Sequence, residues 1–170
     1  MHTSTSRAII AGLVLSLSAQ AASPQAFDPF AGQWTGTLEY QDYGGNGRVK
    51  IPVKLTVKPT DPTTATWDFA YDDFGKVVNS FETHTWNAGQ YKITTKGKTD
   101  VQAYTSADFA ALIKSGTGKA VLMGSEIEIG AKVEVRRTIT LEKITLTTLK
   151  ETRLKGETFK FRNQSIYTRQ

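Results

Sequence analysis

Beyond residue 21 the chain holds a single histidine, His84, two residues from Glu82, so in a strand both side chains would share one face. A histidine beside a carboxylate can pass a proton or contribute to a metal site. Zinc takes three or four protein ligands, however, so this pair falls short of a centre, and no metal is expected. A catalytic triad would need a nucleophilic serine, and the sequence has no Gly-x-Ser-x-Gly elbow to present one. His84 as an axial haem ligand is a further reading. The simpler one puts Glu82 and His84 on a solvated strand face, with no cofactor.

Glu126 and Glu128 are a second carboxylate constellation. Residues i and i+2 of a strand lie about 7 Å apart, within the roughly 5 to 9.5 Å that separates the two carboxyls of glycosidases. The residues alternating with them are Val121, Met123, Ile127 and Ile129, so both glutamates are expected to face solvent. Lys96-Gly97-Lys98-Thr99 ends like a phosphate-binding loop, but Lys92 stands where that motif requires its first glycine. Asp72-Asp73 before Gly75 reads as hairpin-turn chemistry. No catalytic residue emerges, and the chain is expected not to be an enzyme. Arg137 is different, because it alternates with Val133, Val135, Ile139 and Leu141. A guanidinium on such an inward face must meet a carboxylate, a ligand anion or water. The alternative is a register shift that places it outside, beside Arg136.

The elements that must position these groups are strands. Period-two alternation runs through Trp34–Tyr40, Val49–Val57, Trp67–Tyr71, Val77–Trp86, Gln90–Thr95, Val121–Ile129, Val133–Leu141 and a threonine-rich stretch from Thr145 to Thr152. The last strand carries Phe159, Phe161, Asn163, Ser165 and Tyr167 on one face, and residues 98–104 add a short strand. Glycine-rich reversals separate them, at 42–47, 73–76, 87–89 and 155–157. One segment breaks the pattern: Ser106 can cap a helix, Phe109, Leu112 and Ile113 lie at helical spacing, and Gly116 can close it. Nine or ten strands in meander order imply an antiparallel sheet that hides its edges by closing. The expected fold is all-β: an up-and-down barrel with one short helix, or alternatively a β-sandwich.

Residues 1–21 read as an export signal, with Arg7, an apolar run from Ala8 to Leu17, and the small-residue site Ala19-Gln20-Ala21. Residues 22–170 then form one domain, expected in the periplasm or secreted, with no further stretch long enough to span a membrane. The absence of cysteine excludes both disulfides and a lipobox. The net charge is +5, and the last forty residues carry ten Lys and Arg against four Asp and Glu. An exported chain is not expected to bind nucleic acid, so these cations read as solvated strand faces or as a contact for an anionic polymer.

The opening Phe30-Ala31-Gly32-Gln33-Trp34-Thr35-Gly36 resembles the Gly-x-Trp start of lipocalins and related calycin barrels, and the run through Arg48-Val49-Lys50-Ile51-Pro52 looks like that of uncharacterised secreted bacterial proteins. The resemblance implies that Gly32 and Trp34 are structural and that an arginine of the last strand lies across the indole. Arg162 is preferred to Arg169 for that place. It also implies a small apolar or amphipathic ligand. In this reading Arg137, Asn163, Ser165 and Tyr167 hold its head, and Trp67, Phe69, Phe159 and Phe161 line its tail. An envelope protein that uses its outer surface is the alternative.

Overall fold

The computed structural model describes residues 25–42, 44–45 and 47–170. The expected export signal lies outside the described residues. Ten strands follow one another: β1 (Gly32–Gln41), β2 (Arg48–Asp61), β3 (Thr64–Asp73), β4 (Lys76–Asn87), β5 (Gln90–Thr95), β6 (Val101–Thr105), β7 (Gly118–Glu128), β8 (Ala131–Leu141), β9 (Thr145–Arg153) and β10 (Lys160–Arg169). Each pairs antiparallel with its chain neighbour, and β1 pairs with β10, so the sheet closes into a barrel. The sandwich is excluded. Closure removes the two long edges that a ten-strand meander would otherwise expose. Among the described residues no helix is long and apolar enough to cross a membrane.

The β1–β10 closure depends on a close approach at Gly36, which pairs with Tyr167. A Cβ built on Gly36 would lie 2.0 Å from the carbonyl oxygen of Ile166, so no larger residue fits.

The single helix, α1 (Phe109–Ser115), lies between β6 and β7. The Ser106 hydroxyl accepts the Phe109 N–H at 3.1 Å. Gly116 ends the helix in the left-handed conformation, returning its N–H to Leu112. The buried Phe109 and Leu112 turn α1 onto one end of the barrel. There the Phe109 ring stacks on Phe30 and meets Tyr91 edge-on, while Phe27 tilts against both Phe30 and Phe109. Full burial of each such ring contributes about 1.5 to 3 kcal/mol.

Trp34 plugs this end. Its indole N–H donates to the Phe30 carbonyl at 2.9 Å. The arginine across it is Arg169, 4.1 Å from the ring centroid, which donates to the Ala31 and Pro29 carbonyls at 2.6 and 2.7 Å. The preference for Arg162 is therefore corrected. Arg169 pairs in register with Trp34, whereas Arg162 lies at the far end of β10.

β7 turns the opposite way from its apolar alternation, and so does the segment leading into β10 up to its bulge. In β7 the buried set is Ala120 and Leu122, and it continues through Gly124 to Glu126 and Glu128. Met123 and Ile127 are exposed. The first half of β7 is apolar on both faces, so only its second half signals a direction, and a polar interior inverts that signal. In β10 the register against β9 shifts between Phe161 and Asn163, which sends Arg162 inward and Phe159 and Phe161 outward. On the outer surface Arg48 covers Phe161 at 3.8 Å, and Phe159 lies between Arg136 and Arg153, 4.3 Å from each. Phe159 and Phe161 thus do not line the interior.

Candidate functional site

The barrel has two ends of different character. The Trp34 end is sealed by residues 26–30 and α1. The other end is ringed by the loops β1–β2, β3–β4, β5–β6, β7–β8 and β9–β10. Between them the inward side chains become polar, and two hydrogen-bonded groups face each other across the lumen.

The first group comes from β4 and β5. His84 is buried, with Nδ1 2.7 Å from the Tyr91 hydroxyl and Nε2 2.9 Å from Glu82 Oε2. Trp67 of β3 stacks on the imidazole, with the ring centroids 4.4 Å apart. Burial pushes the His84 pKa below its ordinary 6.5, against the pull of Glu82. Burial acts to raise the Glu82 pKa, but the His84 hydrogen bond and the charge of Arg137 outweigh it and hold the carboxyl below its ordinary range. The consistent state is a carboxylate accepting from a neutral imidazole N–H, with the other ring nitrogen accepting from Tyr91. Both nitrogens are thereby occupied, so His84 offers no lone pair to a haem iron. The solvated-face reading of Glu82 and His84 is corrected: the pair points inward.

The second group spans β6 to β10. Arg137 Nε donates to the Tyr104 hydroxyl at 2.8 Å and Nη2 to Gln102 Oε1 at 3.1 Å. Tyr104 donates to Glu126 Oε1 at 2.6 Å, and Glu126 Oε2 accepts from Lys150 at 2.5 Å. Glu128 lies 3.7 Å from Lys150 and 2.9 Å from Arg162, whose Nε also reaches Thr152. The chain crosses five strands. Burial opposes the charge on Arg137, and Tyr104, Glu126 and Glu82 outweigh it, so the guanidinium stays charged. The solvent-face expectation for Glu126 and Glu128 fails for this reason: a lumen holding Arg137, Lys150 and Arg162 needs carboxylates.

Between the groups lies a cavity of about 50 Å³ lined by Trp67, Phe69, Glu82, His84, Arg137 and Tyr167, with Lys150 and Asn163 at its polar side. Each water-sized atom needs roughly 10 to 15 Å³ of such space. The cavity therefore suits a group of roughly four such atoms, well below a haem or a long acyl chain. Among the described residues Trp67 Nε1 is buried without a hydrogen-bond partner, and Arg137 donates through Nε and Nη2 but not Nη1. Arg137 has no carboxylate at ion-pair distance among the described residues, although the other inward cations Lys150 and Arg162 do. Of the eight residues expected to hold a ligand, Arg137, Asn163, Tyr167, Trp67 and Phe69 meet at this cavity. Ser165 is buried one inward position along from Asn163, and the two phenylalanines are outside. Sequence reasoning missed Tyr91, Tyr104 and Gln102. The one signal for them was their inward parity on β5 and β6.

Most cations of the last forty residues already have partners, while Lys132, Lys143 and Lys155 have no carboxylate at ion-pair distance among the described residues. Arg136 pairs with Glu151, Arg153 with Glu134, Lys160 with Glu157, Lys150 and Arg162 with interior glutamates, and Arg169 caps the plug.

These features define a closed, ten-stranded, antiparallel β-barrel with one plugged end and a polar lumen. The chain is similar in fold to the crystal structure of Rv2717c from M. tuberculosis, at 16% identity and a TM-score of 0.59, covering 88% of this chain and 98% of that one. A redesigned β-barrel, b11L5F_LGL, aligns at 12% identity and a TM-score of 0.45, covering 88% of this chain and 99% of that one. No protein-family profile matches the sequence, and no curated protein does.

Proposed function

We propose that the protein is an exported binding protein that holds a small amphipathic acid in its lumen and does not transform it. One observation carries the reading: an unpartnered buried indole N–H and a guanidinium without a direct carboxylate line the same cavity. Leaving a buried donor unmade costs about 1 to 3 kcal/mol, so a ligand acceptor at this point recovers a penalty already present in the empty barrel. Trp67, Phe69 and Ile139 supply the apolar wall, and Arg137, Lys150 and Asn163 the polar one. The small volume confines the enclosed part to a carboxylate with one or two attached carbons.

The test is isothermal titration of the purified barrel with acetate, propionate and butyrate, alongside their amides. Binding of an acid but not of its amide, lost in both Arg137→Met and Trp67→Phe, is the expected result. Trp67→Phe removes the donor and keeps an aromatic ring. Equal binding of acid and amide, or none of either, overturns the reading.

A further inference from the structure

We infer that the open rim of the barrel is a docking surface for an anionic lipid bilayer, carried by the tips of the β3–β4 and β7–β8 hairpins. The tips are Phe74-Gly75 and Ile129-Gly130. Both residues of each tip have positive φ: 54° and 88° in the first, 49° and 77° in the second. This is the left-handed pair of a type I′ turn, a site that favours asparagine or aspartate before the glycine. A bulky or β-branched residue there is strained. Nothing in the fold compensates for it, because Phe74 is 82% exposed and Ile129 is 98% exposed. The β4–β5 hairpin, at the sealed end, is a built-in comparison: Ala88-Gly89 takes the same conformation, at 49° and 81°, with the smallest side chain that has a Cβ. The strained position is therefore filled by large apolar groups only at the open rim.

Neighbouring residues extend the pattern. Val77, Val101, Ile127 and Leu154 are exposed on the same rim, with Ile127 at 69%. Val101 and Ile127 flank a cleft where β6 and β7 separate, since that ladder holds only two registered pairs, Tyr104 with Gly124 and Thr105 with Met123. Lys76, Lys98, Lys132 and Lys155 are exposed between the tips, and none lies within ion-pair distance of a carboxylate among the described residues. Of the rim aspartates, Asp42 and Asp72 keep their charge but are turned toward N–H groups of their own loops, and Asp73 and Asp100 are exposed beside the lysines. Apolar tips on separate loops, with lysines between them, make no continuous patch for a rigid partner. They suit a fluid interface, where apolar side chains enter the acyl boundary and lysines meet anionic headgroups.

The experiment is co-sedimentation of the purified barrel with vesicles of phosphatidylcholine containing 30% phosphatidylglycerol, and with pure phosphatidylcholine. Binding to the anionic vesicles, weakened by added salt, is expected. Phe74→Asn and Ile129→Asn should each lower the partition coefficient about tenfold. Each should also raise the melting temperature by about 2 to 4 °C, because asparagine relieves the turn. Ala88→Asn should raise the melting temperature and leave vesicle binding unchanged. A fall in binding with a gain in stability separates a docking role from a structural one. Absence of vesicle binding, or binding unchanged in the Phe74→Asn/Ile129→Asn double variant, overturns the inference. So does concentration-dependent self-association abolished by the same pair, which assigns the tips to a second copy.

Discussion

At the sealed end of the barrel, Trp34, Phe27, Phe30 and Phe109 fill the space, and the polar atoms there are committed to backbone carbonyls, as in the Arg169 contacts to Pro29 and Ala31. Toward the open end the same closed sheet encloses Glu126, Glu128, Arg137, Lys150 and Arg162 in a network that crosses the lumen. The first region gains stability from area removed from water, which needs no titrating group. The second gains little net stability, because desolvation of each charge offsets most of its pairing energy. Arg137 and Lys150 of this network line the cavity. Under the proposed function the sealed end is the scaffold and the polar lumen the place of recognition.

The two regions should therefore respond oppositely to similar substitutions. Trp34→Ala removes the plug and leaves Arg169 above a void, and should lower the unfolding free energy by about 3 to 5 kcal/mol in urea titrations. Glu126→Leu should cost about 3 kcal/mol because it leaves Lys150 only the longer contact to Glu128, and adding Lys150→Met should recover most of that loss. A double variant no more stable than Glu126→Leu alone would mean that the lumen is held together as the sealed end is. Arg169→Met should cost about 2 kcal/mol, from the two carbonyls left without donors and the lost contact with the indole.

Acidification separates the regions more gently. The folded pKa of His84 lies below the ordinary 6.5, so as the pH drops through about 6.5 the unfolded chain takes the proton first. The stability this contributes is present above that pH and is lost down to the folded pKa. Glu82, also lowered, adds a loss in the same direction below its ordinary 4.5. Unfolding free energy measured from pH 7.5 to 5 should fall, and His84→Gln should flatten the fall. A wild-type profile already flat over this range would contradict the neutral buried imidazole.

Much of the fold was legible in the chain. The alternation of β8 put Arg137 in an apolar series, though it left open a register shift that would turn it outward, and Ser106, Phe109, Leu112 and Gly116 located the helix to within three residues. The Trp34 plug and an arginine across it were also readable, although which arginine was not. That choice depends on register, and β10 has a bulge beside Phe161 that no residue type announces. The site was half legible. Five of its expected residues gather at the cavity, but Glu82, His84, Glu126 and Glu128 read as solvated because charge is ordinarily a mark of the outside.

By itself, then, the sequence determined the local periods: nine or ten alternating strands, the turns between them, and the place of one helix. Those follow from backbone geometry and side-chain sterics within a few residues. Only the tertiary structure decided which face of β7 turns inward, where a bulge in β10 brings Arg162 in and leaves Phe161 out, and that Arg169 rather than Arg162 covers Trp34. Such choices are made by partners distant in sequence: a carboxylate goes inside when Arg137 and Lys150 are already there to receive it, and the closure of β1 on β10 aligns Arg169 with the indole.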